Sequence, residues 1–383
     1  MTVTQSQTPG QRVRRGAALS LIALATLLLS NGAAAQGQPE TPTESGTVFE
    51  EEIVPQRYAD SAAVNQFIDM MVARYDFNRD QLRALFRQAS YSATAVKLIT
   101  PAASPSVKNW QKYRSRFLDA VRINNGVNFW RSNRAALDRA AETYGVPPEY
   151  IVAIIGVETV YGRFMGNFRV LDVLTTLSFD YPNTRNRDDR QTMFRKNLED
   201  FLVWTRSSNI DPLSVLGSYA GAIGIPQFMP TSIIQYAVDF DGSQSIDLRA
   251  SASDAIGSVG NYLNKNGWER GRPVVWQIRG DAGSQGIAQA AADGAPEPRW
   301  SLDQLLRAGL LLNEPGLDLQ TERGTPLTVV DLPTPGMPTQ YALGLRNFYV
   351  ITRYNRSFFY AMSVHELAQR IRLRMKASGE IVN

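Results

Sequence analysis

The stretch Ile151-Val-Ala-Ile-Ile-Gly-Val-Glu158-Thr-Val-Tyr-Gly162 sets one carboxyl group into an otherwise apolar run. Ile151, Ile154 and Ile155 precede Glu158 by seven, four and three positions, the separations that place side chains on one helical face. Pro147 and Pro148 suit the start of this helix, and Gly162 is the expected C′ residue at its end. A carboxyl group on an apolar face is poorly solvated, so its pKa rises and it can carry a proton near neutral pH. A general acid needs that property. A partly buried Glu satisfied by an arginine or a backbone amide would look the same, and this segment alone leaves both readings open.

Composition narrows the chemistry. The chain has no Cys and one His, His365, which excludes Cys nucleophiles, thiolate metal sites and multi-His metal centres. His365 lies in Ser363-Val-His-Glu-Leu-Ala-Gln-Arg, a late amphipathic helix, and reads as an ordinary surface or cap histidine. Hydrolytic or transfer chemistry must therefore lean on carboxylates, Tyr, Ser or amides. The net charge of +4 is mild, and no basic stripe with interleaved aromatics is present, so nucleic acid is not an expected partner. An anionic cell-wall polymer suits the charge better.

Residues 1–35 read as a cleavable signal peptide. Arg12, Arg14 and Arg15 form a charged n-region, Gly16 to Ser30 an Ala/Leu-rich h-region, and Ala33-Ala34-Ala35 an A-x-A cleavage site. The h-region is too short for a stable anchor, and no Cys near the cleavage site could take a lipid. A soluble exported protein is expected, periplasmic in a Gram-negative source and not lipid-anchored; Arg14-Arg15 also admits the twin-arginine route. Residues 36–54, Pro/Thr/Gly/Glu-rich from Gln36 to Thr47, read as a flexible linker.

The remainder predicts a mainly α (α+β) protein without internal repeats. A helical part covers 55–144, and a further helical core with Gly- and Pro-containing loops covers 145–271. The texture changes over 272–341, where Val274–Ile278 and Thr325–Leu332 look like strands of a small β-containing insertion. Residues 342–383 return to the core, with Asn347–Tyr354 expected to be a strand or extended and a closing helix from Ser363.

Further constellations stand out. Ser218-Tyr-Ala-Gly-Ala-Ile-Gly-Ile-Pro-Gln-Phe-Met-Pro-Thr-Ser232 combines glycines with amide and apolar groups, as in a sugar-binding groove, although tight helix–loop packing would also use Gly221 and Gly224. In Arg353-Tyr-Asn-Arg-Ser-Phe-Phe-Tyr360, Tyr354 and Asn355 could present a hydroxyl and an amide to a sugar, or belong to a Tyr-rich core strand. Asp239, Asp241, Ser243, Ser245 and Asp247 supply oxygens at alternate positions, with Ile246 between the last two, resembling an EF-hand loop. Gly242 and Gln244 depart from that pattern, and Ala250 stands where the bidentate Glu belongs; Asp254 is the candidate to replace it. A solvated acidic turn is the alternative. The polar loop Asp180 to Arg190 carries arginines that could meet anionic peptide stems or simply face solvent.

Together these segments resemble the membrane-bound lytic murein transglycosylase B family, a branch of the lysozyme-like superfamily. The matching stretches are Trp110-Gln-Lys-Tyr-Arg, Gly156 to Gly166, Leu171 to Pro182, Ser218 to Pro230, Asp254 to Tyr262 and Arg353-Tyr-Asn-Arg-Ser, in one order across most of the mature chain. The resemblance implies a lysozyme-like core and a sole catalytic acid/base, Glu158. It implies cleavage between N-acetylmuramic acid and N-acetylglucosamine of peptidoglycan, closing a 1,6-anhydromuramyl end without water as nucleophile. No second acid stands close to Glu158 in the motif; Asp172 and Asp180 are the nearest candidates and look structural, although a hydrolytic muramidase using one of them remains a rival, as does a non-catalytic glycan binder. By position, Tyr113, Ser218, Gln227, Tyr262, Tyr354, Asn355 and Tyr360 would line the glycan groove. The resemblance implies no cofactor for catalysis and a structural calcium held by Asp239, Asp241, Ser243, Ser245 and Asp254. Glycan strands, with cell-wall synthesis or division proteins, are the expected partners. The family's Arg pair after Tyr-Pro is replaced by Asn183 and Thr184, with Arg185 and Arg187 displaced.

Overall fold

The computed structural model describes residues 57–102 and 107–381; the expected signal peptide and linker lie outside these residues. Six helices come first: α1 (Ala62–Tyr75), α2 (Arg79–Arg87), α3 (Ala93–Ile99), α4 (Trp110–Arg114), α5 (Ala120–Ser132) and α6 (Arg134–Tyr144). Five of them start on a polar N-cap whose side chain accepts a backbone N–H, from Ser61, Asn78, Ser92, Asn109 and Asp119. The central group follows with α7 (Pro148–Thr159), β1 (Phe168–Arg169), α8 (Val170–Phe179), α9 (Arg187–Ser207), β2 (Leu216–Gly217), α10 (Pro230–Tyr236) and α11 (Ala252–Lys265).

Helix α7 is buried on nearly every side, with Ile151, Val152, Ala153, Ile154 and Ile155 all fully inaccessible. It packs on α5, α6, α11 and the C-terminal helix, which makes it the axis of the molecule. Arg57 and Tyr58 tie the N-terminal part to α8: Arg57 forms a two-pronged ion pair with Asp180, and Tyr58 Oη donates to the same carboxylate at 2.9 Å.

The insertion comprises β3 (Val275–Gln277), α12 (Ala282–Ala291), β4 (Trp300–Ser301), α13 (Leu302–Arg307), α14 (Leu319–Glu322), β5 (Pro326–Thr334) and β6 (Met337–Gly344). Its antiparallel sheet has the order β3-β6-β5-β4, and β6 runs past residue 341 to Gly344. The sheet is apolar on both faces. Val275, Val330, Leu332 and Ala342 join the helical core. Trp276, Leu327, Val329 and Leu343 alternate with them and form a second core with Leu302 and Leu305 of α13.

The chain closes with α15 (Arg346–Tyr354) and α16 (Phe358–Ala377). Two expectations are corrected here. Asn347–Tyr354 is a helix rather than a strand, because Asn347, Phe348, Ile351 and Thr352 are buried at helical spacing. Asn347 also locks the helix in place, accepting from Glu269 N and donating to the Glu269 and Arg272 carbonyls. The closing helix begins at Phe358, not Ser363, because Ser357 caps it by accepting from Tyr360 N. The architecture is the mainly helical one with a small antiparallel sheet that the sequence predicts.

Candidate active site

Helix α7 starts as expected, with Pro147 at the N-cap and Pro148 in the first turn, but it ends earlier. Val160 (φ 50°), Tyr161 (φ 61°) and Gly162 (φ 85°) all occupy the left-handed region, so Val160, not Gly162, caps the helix. A β-branched residue pays a steric penalty there. Tertiary bonds hold it. Thr159 Oγ1 accepts from Gly162 N at 2.9 Å and donates to Ile225 O at 2.8 Å. Tyr161 Oη donates to Arg122 O at 2.9 Å. Its hydroxyl lies where a Cβ on Gly126 or Gly156 would have to go, 2.5 Å away in both cases. Arg122, half-buried on α5, donates to Gly156 O at 2.9 Å and so caps the carbonyl end of α7.

Glu158 sits just before this turn and is half-buried. Tyr360 Oη donates to its Oε1 at 2.6 Å. Burial raises the pKa from the usual 4.5 to about 8, and the Tyr360 bond, which favours the ionised form, only partly offsets it. Burial, and then the charge of an ionised Glu158, holds the phenols of Tyr113, Tyr354 and Tyr360 above their ordinary value, so all three stay protonated. No arginine or backbone amide neutralises Glu158 among the described residues: of the two readings of this carboxyl group, the desolvated acid is the one present.

The other nominated residues fall into layers around it. Tyr354 stacks on Tyr360 with centroids 6.5 Å apart and meets Tyr262 edge-on at 4.8 Å. Both hydroxyls bind main chain: Tyr354 donates to Pro226 O and Tyr262 to Arg353 O. Tyr113 packs between Trp110, Phe117 and Phe359. Asn355, half-buried and extended, ends α15 between Tyr354 and the α16 cap. Ser218 is buried and accepts from Ala220 N and Ala222 N, shaping the loop that follows β2. Gln227, at φ 52°, donates to Met165 O and Gly224 O and ties this loop to the segment after Glu158. Gly224 fits because a Cβ there would lie 2.4 Å from Leu248 O.

The carboxylates that a hydrolytic rival would enlist are engaged elsewhere. Asp172 holds Arg169 in a two-pronged pair and accepts from Ser90 N. Asp180 holds Arg57 and Tyr58. Arg185 and Arg187 are exposed at the start of α9.

The carboxylates of Asp239 and Asp241, in the loop before α11, and of Asp254, in its first turn, bring oxygens within 4.8 Å of one another. Asp254 is fully buried and accepts from Phe240 N and Asp241 N on one oxygen and Asp247 N on the other. Asp239 accepts from Gly242 N, Ser243 N and Gln244 N. Ser243 and Ser245 are exposed, with hydroxyls 3.3 Å apart. Hard oxygens converging on one point suit calcium, and a carboxylate oxygen keeps lone-pair capacity beyond one accepted bond. The donor set fits that ion.

Two functional-looking groups escape sequence reasoning. Arg122 reaches the Glu158 helix from another element, with no local signal. His365 is not the surface or cap residue expected from its helix: it is half-buried, with Nδ1 2.9 Å from Tyr150 Oη, and burial lowers its pKa to about 4.

Comparison with known proteins agrees with this geometry. A family model described as a transglycosylase SLT domain matches residues 59–369. The membrane-bound lytic murein transglycosylase B of Escherichia coli (strain K12) is 42% identical over 327 residues, covering 82% of this chain and 84% of that protein. The soluble lytic transglycosylase SltB1 from Pseudomonas aeruginosa is 41% identical, with a TM-score of 0.73 over 83% of this chain and 99% of that one. The Escherichia coli lytic transglycosylase Slt35 in complex with calcium is 40% identical, with a TM-score of 0.73 over 84% of this chain and 96% of that one. An apolar helix ending in a desolvated glutamic acid, a lysozyme-like fold around it and a match along most of the chain lead to one conclusion: this protein belongs to the SLT-domain lytic transglycosylases.

Proposed function

We propose that the chain cleaves the MurNAc–GlcNAc β-1,4 bond of peptidoglycan by intramolecular transglycosylation, with Glu158 as its only acid/base. One observation carries this reading: the carboxyl group whose pKa stands at about 8 is bonded, among the described residues, only to a neutral phenol. Protonated Glu158 donates to the glycosidic oxygen, and the C1–O bond breaks with the GlcNAc side leaving as an alcohol. The substrate's own acetamido group stabilises the cationic C1, the task a second carboxylate performs in ordinary glycosidases. Ionised Glu158 then takes the proton of the muramyl C6 hydroxyl as O6 bonds to C1. The enzyme regains its proton and no water is consumed. Tyr113, Ser218, Gln227, Tyr262, Tyr354, Asn355 and Tyr360 shape the glycan groove in this reading, with Tyr360 directly on the acid.

The same reading divides the chain into a helical part (55–144), a catalytic core (145–271), an insertion (272–341) and a C-terminal return (342–383). Asp239, Asp241, Ser243, Ser245 and Asp254 hold a calcium ion that supports the fold and takes no part in the chemistry. The N-terminal charge pattern and A-x-A site support export to the periplasm without a lipid anchor. No helix among the described residues is long and apolar enough to cross a membrane. Proteins of wall synthesis or division are its expected partners.

The test is mass spectrometry of soluble products from purified peptidoglycan treated with wild type and with Glu158→Gln. The expected products end in 1,6-anhydromuramic acid and are absent with the variant. Reducing-end products would replace this mechanism by hydrolysis, and retained cleavage by Glu158→Gln would remove Glu158 from it.

A further inference from the structure

Helix α16 carries two stripes at helical spacing. Tyr360, Val364, Leu367 and Ile371 form the buried one, and Tyr360 meets Glu158. Met362, His365, Glu366 and Gln369 form the other and wall a cleft of about 280 Å³. Gln369 follows Tyr360 by about two and a half turns, so cleft and candidate active site lie on opposite sides of one helix. The facing wall is the sheet of the insertion. Gln277 stands opposite Ala342 and Gln340 opposite Leu332, which puts all four on one sheet face. Leu332, Ala342 and Met362 supply an apolar lining.

The polar groups of the cleft are mostly neutral and unspent. Gln277 and Gln340 expose side-chain amides that bond nothing among the described residues. Glu366 is paired with Arg114 at 2.5 Å. His365 is neutral and bonds through Nδ1 alone, 2.9 Å from Tyr150 Oη. Gln369 Nε2 donates to that same hydroxyl at 3.3 Å, which leaves Nδ1 as the acceptor for the hydroxyl's own proton. The ring proton of His365 is therefore on Nε2. This N–H has no partner among the described residues and is not sealed from solvent. Gln369 Oε1, one helical turn further on, is an equally open acceptor.

Uncharged donors and acceptors on two walls, over an apolar lining, match an N-acetylated sugar. Its hydroxyls suit the glutamine amides, its acetamido carbonyl the Nε2–H, and its methyl group Met362. The volume lies just below the usual range of small-molecule sites, which suits one sugar ring and excludes a helix. A stem peptide would bring several charges, and only Arg370, exposed at the rim, is unpaired among the described residues to meet one of them.

We propose that this cleft is a second saccharide site, which holds an N-acetylhexosamine of the wall polymer between α16 and the insertion while the catalytic face works elsewhere on that polymer. It rests on the peptidoglycan reading and adds to it a task for the insertion, retention on the insoluble substrate.

His365 is the only histidine of the chain, so its imidazole NMR signals need no assignment and report on the cleft directly. Di-N-acetylchitobiose added to the intact protein should shift the His365 Nε2 and Hε1 signals saturably, whereas glucose, lacking the acetamido group, should leave them in place. In Gln277→Ala/Gln340→Ala, which alters two exposed amides, the same shift should need roughly ten-fold or more saccharide. That variant should cleave a soluble glycan fragment at the wild-type rate and be retained less on insoluble peptidoglycan. Unmoved His365 signals in wild type at ~10 mM saccharide, well above a millimolar affinity, would overturn the proposal. So would an undiminished titration in the double variant, or a shift caused by a stem peptide and not by the saccharide. Unchanged retention by a variant that has lost the titration would overturn the polymer-holding role. If the double variant does not fold, Gln340→Ala alone takes its place. Failure of the transglycosylase reading is distinct: no anhydro products form, whereas the His365 titration needs no turnover.

Discussion

At the scale of single residues, the position of one proton decides the chemistry. With the Glu158 pKa at about 8, its carboxyl is protonated through the neutral range, and cleavage should decline as pH rises past about 8. A pH profile of kcat/KM that falls with a midpoint near 4.5 would contradict this. Tyr360→Phe removes the bond that favours the ionised carboxylate, so the alkaline limb should move to still higher pH. The same shift links to folding. A carboxyl group raised in the folded state adds stability below its unfolded pKa near 4.5, and that contribution is lost as pH climbs to about 8. Glu158→Gln should therefore gain on wild type in thermal midpoint between pH 5 and 8, by more than about 2 °C, and the gap should then level off. Glu158 was legible in the sequence because its apolar neighbours lie at helical spacing. Tyr360 was not legible in that way. It lies 202 positions away, and only the family resemblance pointed to it.

At the scale of elements, the end of α7 depends on close approach to α5. Gly156→Ala would drive a methyl group into Tyr161 Oη at 2.5 Å and should destabilise the protein by about 1–3 kcal/mol, measured by denaturant unfolding. Turnover should fall steeply as well, because Glu158 sits in the last turn of α7, directly before the displaced residues. Most elements were legible. Helix α15 was not, since Phe348, Tyr349, Val350, Ile351 and Thr352 are strand-favouring types and only tertiary burial turns them into a helix. Strand β6 was hidden for the opposite reason. Met-Pro-Thr-Gln-Tyr-Ala-Leu-Gly lacks strand character, and pairing along β5 imposes it. The early end of α7 at Val160 was equally unreadable, because bonds to Ile225 and Arg122 enforce it from distant segments.

At the scale of the whole molecule, the acidic cluster of Asp239, Asp241 and Asp254 and the insertion set how the parts hold together. Calcium should raise the thermal midpoint of wild type but not of an Asp239→Asn/Asp241→Asn double variant, and chelation should reverse the rise. Asp254→Ala should destabilise by at least about 2 kcal/mol even without calcium, since three backbone N–H groups lose their acceptor. The sheet of the insertion has a consequence in a different currency, that of evolutionary change. Val275 pairs with Gly344, so the polypeptide enters and leaves the insertion through one doorway. Such a module looks ready to be exchanged. Yet Val275, Val330, Leu332 and Ala342 roof the helical core, while the residues alternating with them face α13. Drift along β5 should therefore run at two speeds, every second position held by the enzyme beneath it and the others free to follow the insertion's own fashion.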